Sequence, residues 1–182
     1  MKALKHFLTI ARHRREVRRL CFEVGLYWQG LTHDLSKYSW AEFSVGAKYF
    51  MGTRSPNDAE RFDKGISYAW LHHKGRNKHH FEYWIDYSME LDGRMAGQEM
   101  PVKYVVEMFC DRVAACKIYQ GDKYTEDSAL LYYNRGKGRY MMHEKTAVLI
   151  EDMLEYLAKM AKRLLVLTFV KRFCIIKDSF RR

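Results

Sequence analysis

Residues 101–119, PVKYVVEMFCDRVAACKIY, carry the clearest helical pattern in the chain. Pro101 is well suited to the first turn of a helix, and the apolar spacing continues to about Tyr119. One face of this helix repeats at intervals of four and three residues and consists of Tyr104, Met108, Asp111, Ala115 and Ile118. The stretch therefore predicts a long helix in which one carboxylate interrupts an apolar face.

The carboxylate of Asp111 needs a partner if this face is buried. An unpaired carboxylate in the interior is costly, so a cation or strong hydrogen-bond donors should lie beside it. An ordinary buried ion pair would satisfy Asp111, but the small neighbours Ala114 and Ala115 leave room for an ion. The pattern favours a bound cation.

Histidines and aspartates follow one another along the chain in an order that is typical of a metal site. The eight histidines include one His-Asp dipeptide and two His-His dipeptides. Imidazole nitrogens and carboxylate oxygens together suit Mn, Fe, Co, Ni or Zn. The sequence thus predicts one or two divalent transition metals, bound by residues drawn from His13, His33, Asp34, His72, His73, His79, His80 and Asp111.

The segment His33-Asp-Leu-Ser-Lys37 indicates chemistry on a phosphate. An aspartate beside a histidine can bridge two metals with its two oxygens, while the imidazole binds one of them. In a helix, Lys37 would lie one turn from His33, and its ammonium group can meet a phosphoryl oxygen. Arg76 adds positive charge between the two His-His dipeptides. Asp34, Lys37 and Arg76 are therefore the predicted catalytic residues.

The two His-His dipeptides lie within nine residues of each other. His72 and His79 are seven residues apart, as are His73 and His80, so an uninterrupted helix would place each such pair on one face. Because Gly75 is expected to break that register, the sequence leaves open which histidine of each dipeptide is a ligand. A solvated basic loop is the alternative interpretation of this segment.

The remaining periodicity predicts an all-α single domain. A helix over residues 2–24 places His13 at its inward edge, where a core histidine bonded to a carbonyl group is the alternative to a metal ligand. Residues 86–100 contain two glycines and show no clear period, which predicts a loop or lid. Further helical segments are predicted over residues 39–50, 58–73, 77–84, 125–134 and from residue 144 onward.

Charge and cysteine usage indicate the possible partners and the compartment. The net charge of +10 is concentrated at the two ends of the chain, in residues 1–19 and 160–182. Such ends are either solvated helix faces or attract nucleic acid, nucleotides or an anionic membrane surface. The four cysteines show no CxxC spacing, which indicates buried reduced thiols. With no visible signal peptide or transmembrane run, a cytoplasmic location is predicted.

A domain boundary is predicted near residue 160. Residues 1–160 would form the metal-binding helical domain, and residues 161–182 would form a basic, apolar C-terminal helix or tail. Within that tail, residues 164–176 are uncharged except for two basic side chains and are too short to span a bilayer. They are predicted to dock on the body, or else to mediate oligomer formation or contact with a membrane surface.

The order of these motifs resembles the HD superfamily of metal-dependent phosphohydrolases. That superfamily is all-helical, and its signature is a first His, a His-Asp pair and a distal Asp; His33–Lys37 is similar to its HD-x-x-K segment. The resemblance implies an HD-domain-like helical bundle that holds one metal through His13, His33, Asp34 and Asp111. It also implies that histidines between residues 72 and 80 bind a second metal, as in the binuclear branches.

A narrower resemblance, from about His13 to Leu157, is to a small uncharacterised bacterial and phage family of HD-like proteins. The similar stretches are GLYWQGLTHDLSKYS at 25–39, AWLHH at 69–73 and NKHHFEYW at 77–84. Some members carry the automatic label catalase, but nothing in this sequence marks a haem site. The Gly-Tyr-Pro triplet of cyclic dinucleotide phosphodiesterases is absent, so that substrate is not implied.

Three functions from different classes are compatible with the sequence. The leading hypothesis is a metal-dependent phosphohydrolase that uses metal-activated water on a small phosphorylated substrate such as a nucleotide. The HD resemblance also allows a di-iron oxygenase with the same ligands. The third hypothesis is a non-enzymatic module that binds nucleic acid through its basic termini.

Several other side chains receive predictions of their own. His6 is expected to be exposed on the basic end of the first helix, and His143 to make a local contact at a helix start. Glu42 is expected to be the capping-box partner of Ser39, with a role as general base as the alternative. Trp84, like its neighbour at 83, is predicted to wall the pocket beside the metals.

Overall fold

The computed structural model describes residues 1–159, and over this range the fold is all-α apart from one small hairpin. The predicted class is confirmed, while the tail at residues 161–182 lies outside the described residues. No helix within the described range is long and apolar enough to cross a membrane. The α-helices of this range are Lys2–Glu23 (α1), Tyr27–Thr32 (α2), Trp40–Tyr49 (α3), Pro56–Lys64 (α4), Tyr68–Lys74 (α5), Val102–Gln120 (α6), Ser128–Gly136 (α7) and Glu144–Lys159 (α8).

Helix α1 is the central element of the fold. It packs against α2 and α3 on one side and against α6 on the other, and α6 also contacts α7 and α8. The main core forms between α1, α6 and α8, around Val17, Leu20, Val105, Val113, Ile150 and Leu154. The three described cysteines, Cys21, Cys110 and Cys116, are buried free thiols, as predicted.

The single helix predicted over residues 58–73 is in fact two helices, α4 and α5. Gly65 ends α4 with a left-handed backbone at φ 74°. Ser67 then caps α5, because its Oγ accepts a hydrogen bond from the amide of Trp70. The corner is held from inside by the buried carboxylate of Glu60, which accepts bonds from Ser67 Oγ at 2.8 Å and from the Ala69 amide at 3.3 Å.

The predicted loop or lid at 86–100 contains an antiparallel hairpin. Its strands are Ile85–Ser88 (β1) and Arg94–Gly97 (β2), and Ile85 pairs with Gly97. Asp92 and Gly93 form the turn, both with positive φ. The sequence shows no alternation here because each strand has only four residues and neither face is consistently buried.

Replacing Gly97 with Ala is expected to destabilise the fold by about 2 kcal/mol through overpacking. A Cβ at this position would lie 2.6 Å from the amide nitrogen of His143 and 2.7 Å from the carbonyl oxygen of Met141. Both contacts are backbone atoms, which cannot move aside as a flexible side chain can. Urea unfolding followed by circular dichroism measures the change. Gly138→Ala is the control, because nothing lies within 4 Å of its added Cβ; equal stabilities of the two variants would refute the prediction.

Candidate metal centre

The candidate metal centre begins where α1 packs against α6. His13 is buried on the inner side of α1, and its Nε2 lies 3.0 Å from Asp111 Oδ1 on α6. Four residues of the predicted α6 face line the same cavity, and they are Met108, Asp111, Ala115 and Ile118. The pairing of two packed helices therefore brings together residues nearly one hundred positions apart in the chain.

The loop between α2 and the 3₁₀ segment Leu35–Tyr38 carries His33 and Asp34 into the centre. Asp34 has a left-handed backbone, with φ 53° and ψ 26°, a conformation that aspartate adopts more readily than most residues. Arg14 on α1 fixes the loop by donating hydrogen bonds to the carbonyl oxygens of His33 at 2.8 Å and Leu31 at 3.1 Å. The carboxylate of Asp34 is held in the interior, with 1% of its side chain exposed.

The first donor set consists of His13, His33, Asp34 and Asp111, whose ligand atoms all lie within 4.8 Å of one another. Asp34 Oδ2 lies 3.3 Å from His33 Nε2 and 3.5 Å from His13 Nε2. Asp111 Oδ1 lies 3.5 Å from His33 Nε2. Two imidazole nitrogens and two carboxylate oxygens therefore converge on one point, which is the ligand chemistry of a divalent transition metal.

The second donor set consists of Asp34, His73, His79 and His80, again within 4.8 Å of one another. His73 comes from α5, while His79 and His80 come from the turn that leads to the 3₁₀ segment Phe81–Trp84. Asp34 Oδ1 lies 3.3 Å from His73 Nε2 and 3.5 Å from His79 Nε2. Two imidazoles, His73 and His79, thus lie beside the other carboxylate oxygen of Asp34, and His80 completes the set.

The atoms at the middle of the centre have no hydrogen-bond partner. Both carboxylate oxygens of Asp34 are buried without a hydrogen bond, and so are the Nε2 atoms of His79 and His80. Lys37 places its ammonium nitrogen 2.6 Å from Asp34 Oδ2 as an ion pair. Buried polar atoms are almost always satisfied, so the remaining unbonded atoms, which are Asp34 Oδ1 and the Nε2 atoms of His79 and His80, indicate a place for a cation. These buried histidine and aspartate groups could therefore hold a metal ion.

Two further buried glutamates orient the imidazoles from behind. Glu107 Oε1 lies 3.0 Å from His33 Nδ1 and 3.2 Å from His79 Nδ1, so one carboxylate contacts one histidine of each donor set. Glu42 Oε2 lies 2.7 Å from His73 Nδ1. A carboxylate on Nδ1 directs the Nε2 lone pair towards the metal and raises its basicity. The chain therefore provides carboxylates that could orient the imidazoles, in addition to the candidate ligands themselves.

The electrostatics keep the carboxylates of the centre ionised. Burial raises the pKa of Asp34, but the charges of His33 and Lys37 outweigh it and hold the pKa well below its ordinary value. Burial also raises the pKa of Asp111, yet its bonds with His13 and His33 bring the pKa well below the ordinary value. Two ionised carboxylates in the interior are suited to binding a cation.

The histidines of the second donor set include two that favour the neutral form. Burial lowers the pKa of His79, and the charge of His33 lowers it further. Burial and the neighbouring imidazoles His79 and His73 hold the pKa of His80 well below its ordinary value. Only a neutral imidazole has a lone pair to donate, so both Nε2 atoms are available as ligands.

A cavity of about 560 Å³ opens onto both donor sets. Its lining includes His13 and Asp111 from the first set and His73 and His80 from the second. The remaining walls carry more cations than acids: the cations are Lys37, Arg54, Arg61, Arg112 and Arg135, and the acids are Glu42, Asp58 and Glu82. This volume suits a small organic ligand, and the cations favour one that is negatively charged.

Comparison with known proteins gives a family but no function. The model of a family of unknown function (DUF5662) matches residues 2–156. The chain belongs to this family. No curated protein and no solved structure matches it significantly. The matched range of DUF5662 includes every residue of both donor sets, and the resemblance to the HD superfamily stays a prediction.

Two of the predicted site residues do not join the cluster. His72 lies outside both donor sets of the described chain, because its Nδ1 bonds Glu42 Oε1 at 2.7 Å. Arg76 is exposed, donates to the carbonyl oxygen of His72 and does not line the cavity. The end of α5 at Lys74 explains the position of Arg76, since the chain turns there before the second His-His dipeptide.

Two other predictions are wrong, and both errors involve contacts across the fold. Glu42 is not the capping partner of Ser39, which makes no side-chain cap bond; its carboxylate binds the α5 histidines instead. His6 is buried rather than exposed, with its ring 5.4 Å from Phe43 and 5.7 Å from Phe50, and burial lowers its pKa to about 4. The local contact of His143 is confirmed by its bond with the amide at residue 145.

Glu107→Gln is expected to weaken metal binding by about 10- to 100-fold, because the neutral amide oxygen is a weaker acceptor for the two Nδ1–H groups than the charged carboxylate. Glu60→Gln is the matched control: Glu60 is also fully buried and hydrogen-bonded, but it lies outside the donor sets. Competition with a fluorescent chelator measures the affinity of each variant. An equal loss in both variants would show that general destabilisation, rather than orientation of the imidazoles, is responsible.

Proposed function

We propose that this protein is a binuclear metal-dependent phosphohydrolase that acts on a small phosphate ester. The observation that carries the proposal is the position of Asp34. Its Oδ2 lies near His13 and His33, while its Oδ1 lies near His73 and His79. A buried carboxylate that offers one oxygen to each of two donor sets is the arrangement that a bridged metal pair requires.

The donor sets assign the ligands of each metal. The first metal would be held by His13, His33, Asp34 and Asp111. The second metal would be held by Asp34, His73, His79 and His80. These nitrogen and oxygen donors suit Mn, Fe, Co, Ni or Zn. When bound, such a pair polarises a phosphoryl oxygen and lowers the pKa of water, which generates a nucleophile at neutral pH.

Lys37 is the residue that we assign to the phosphoryl group of the substrate. It lines the cavity, and its ammonium nitrogen lies beside Asp34 at 2.6 Å. Burial lowers the pKa of Lys37, but the charges of Asp34 and Asp111 outweigh this and raise the pKa above its ordinary value. The ammonium group therefore stays charged, and it can stabilise negative charge on a phosphoryl oxygen next to the donor sets.

A di-iron oxygenase is the second candidate, and the composition of the donor sets favours it. Within residues 1–159 the grouped donors are histidines and carboxylates without a thiolate, which iron accepts as readily as manganese does. The cationic cavity wall distinguishes the two functions, because it suits a phosphorylated substrate. We therefore rank hydrolysis of a phosphate ester first.

The test is hydrolysis of p-nitrophenyl phosphate and bis(p-nitrophenyl) phosphate by protein loaded with each of the five metals in turn. We expect turnover with at least one metal, and its loss in His73→Gln. His143→Gln is the matched control, since His143 lies outside both donor sets. Oxygen uptake by the iron-loaded protein is followed in parallel. Absence of hydrolysis with every metal, or equal activity in the two histidine variants, would reject the proposal.

A further inference from the structure

Arg112 is a cavity residue whose positive charge has no counterion at close range. It follows Asp111 on α6, and its guanidinium group lies over the rings of Tyr133 and Tyr140 at 5.4 and 5.6 Å. Its Nε atom is buried without a hydrogen-bond partner. Among residues 1–159, no carboxylate lies within ion-pair distance of this side chain, whereas the cavity arginine Arg61 is paired with Asp58.

Arg135 lies on the same wall of the cavity. It comes from α7, lines the cavity together with Arg112, and has no ion pair within the described part of the chain. The two side chains act on a common neighbour: burial raises the pKa of Cys116, and the positive charges of Arg112 and Arg135 both oppose that rise. Arg112 on α6 and Arg135 on α7 therefore both line the cavity, and neither has an ion pair within residues 1–159.

An arrangement of this kind is suited to binding an anion. A buried guanidinium nitrogen without an acceptor is costly, and a bound phosphate would supply the missing acceptor. The planar fork of arginine matches the oxygen spacing of a phosphate, and stacking on two tyrosine rings restricts its orientation. Glu82 also lines the cavity but is not within ion-pair distance of Arg112, so it does not occupy this role.

The structure assigns a second anion subsite to Arg112 and Arg135, separate from the metal donor sets, and we infer that the substrate carries two phosphoryl groups. One group would lie at the donor sets beside Lys37, and the other at the α6–α7 wall. The cavity of about 560 Å³ is large enough for two phosphoryl groups and the part of the substrate that joins them. Tyr132 and Tyr140 also line this cavity and could contact that joining part. This inference rests on the proposed function for the place of the first phosphoryl group.

The test uses alkane-α,ω-bisphosphonates with two to eight carbons, each compared with the alkyl monophosphonate of the same length. The carbon–phosphorus bond is not hydrolysed, so binding is measured by isothermal titration calorimetry independently of turnover. With metal-loaded protein, at least one bisphosphonate is expected to bind about tenfold or more tightly than its monophosphonate, because it gains a charge-assisted contact. Arg112→Gln should abolish that preference and leave the monophosphonate nearly unchanged.

Two further variants keep the test decisive. Arg135→Gln should reduce the same preference if Arg112→Gln fails to fold, and Arg18→Gln is the control because Arg18 is exposed on α1, away from the cavity. A preference that survives in both cavity variants, or no preference in the wild type at any length, would overturn the subsite. Arg112-dependent binding in a protein that hydrolyses no phosphate ester would retain the subsite and reject the proposed function.

Discussion

Asp34→Asn is expected to lower kcat/KM for phosphate-ester hydrolysis by about 10³-fold or more, because one side chain serves both donor sets. Asn preserves the volume of the side chain and tolerates the left-handed backbone that position 34 requires. It removes the charge and replaces one carboxylate oxygen with an amide nitrogen, which cannot act as a metal ligand. The change therefore isolates the bridging role from any disturbance of the loop.

The control for this prediction is Asp152→Asn, which makes the same chemical change at an exposed position of α8. Steady-state kinetics on the best p-nitrophenyl substrate, with circular dichroism to verify folding, compare the three proteins. Retention of more than about one tenth of the wild-type kcat/KM in Asp34→Asn would be incompatible with a bridging carboxylate.

Removing metal is expected to have the largest effect on stability. A ligand that binds only the folded state, present at a thousand times its dissociation constant, stabilises that state by about 4 kcal/mol. For a chain of this size, that change corresponds to a drop of roughly 10 °C in Tm after chelation. The physical reason is that the folded centre gathers buried carboxylates and imidazoles whose unpartnered atoms face one another.

Differential scanning calorimetry before and after treatment with EDTA, followed by metal re-addition, measures this shift. The Asp34→Asn protein is the control, since it should show a shift of only a few degrees. The same shift in both proteins would show that metal stabilises the fold from somewhere other than the two donor sets.

The parts of the site that sequence reasoning predicted are those with local signals. The four-and-three spacing on α6 placed Asp111 on an inward face, and the inner edge of α1 placed His13 opposite it. The His33–Asp34 dipeptide was recognisable by composition alone. Periodicity is a property of one helix, so it identifies which side chains point inward, and in these cases the packing of α1 on α6 brought them together.

The residues that were missed depend on contacts between distant elements. Glu107 lies one turn before Asp111 on α6, so a second inward acid could have been noticed, but its partners His33 and His79 come from other segments. His72 and His73 both contact Glu42 through Nδ1, and they differ because only His73 also has Asp34 beside its Nε2. Neighbours of this kind are set by tertiary structure, which local patterns do not specify.

The arginine predicted from the sequence to act on the phosphoryl group is not among the residues that line the cavity. Arg76 was predicted from its place between the His-His dipeptides, yet it is exposed, whereas Arg112 lines the cavity beside Asp111. In a helical fold, a residue that lies close to a candidate ligand in the sequence need not lie close to the cavity. Helix α6 presents Asp111 of the first donor set and the cavity residue Arg112 at adjacent positions, while Arg76, three positions from both His73 and His79, is exposed.

The central claim is that Asp34 bridges two metals, and counting metals tests it most directly. Elemental mass spectrometry is applied to wild type, Asp34→Asn and Asp152→Asn after loading with each candidate metal and removal of excess by gel filtration. The account predicts about two ions per chain in wild type and in Asp152→Asn, and fewer than about one in Asp34→Asn. A wild-type protein that binds no metal, or an Asp34→Asn protein that retains both ions, would contradict it.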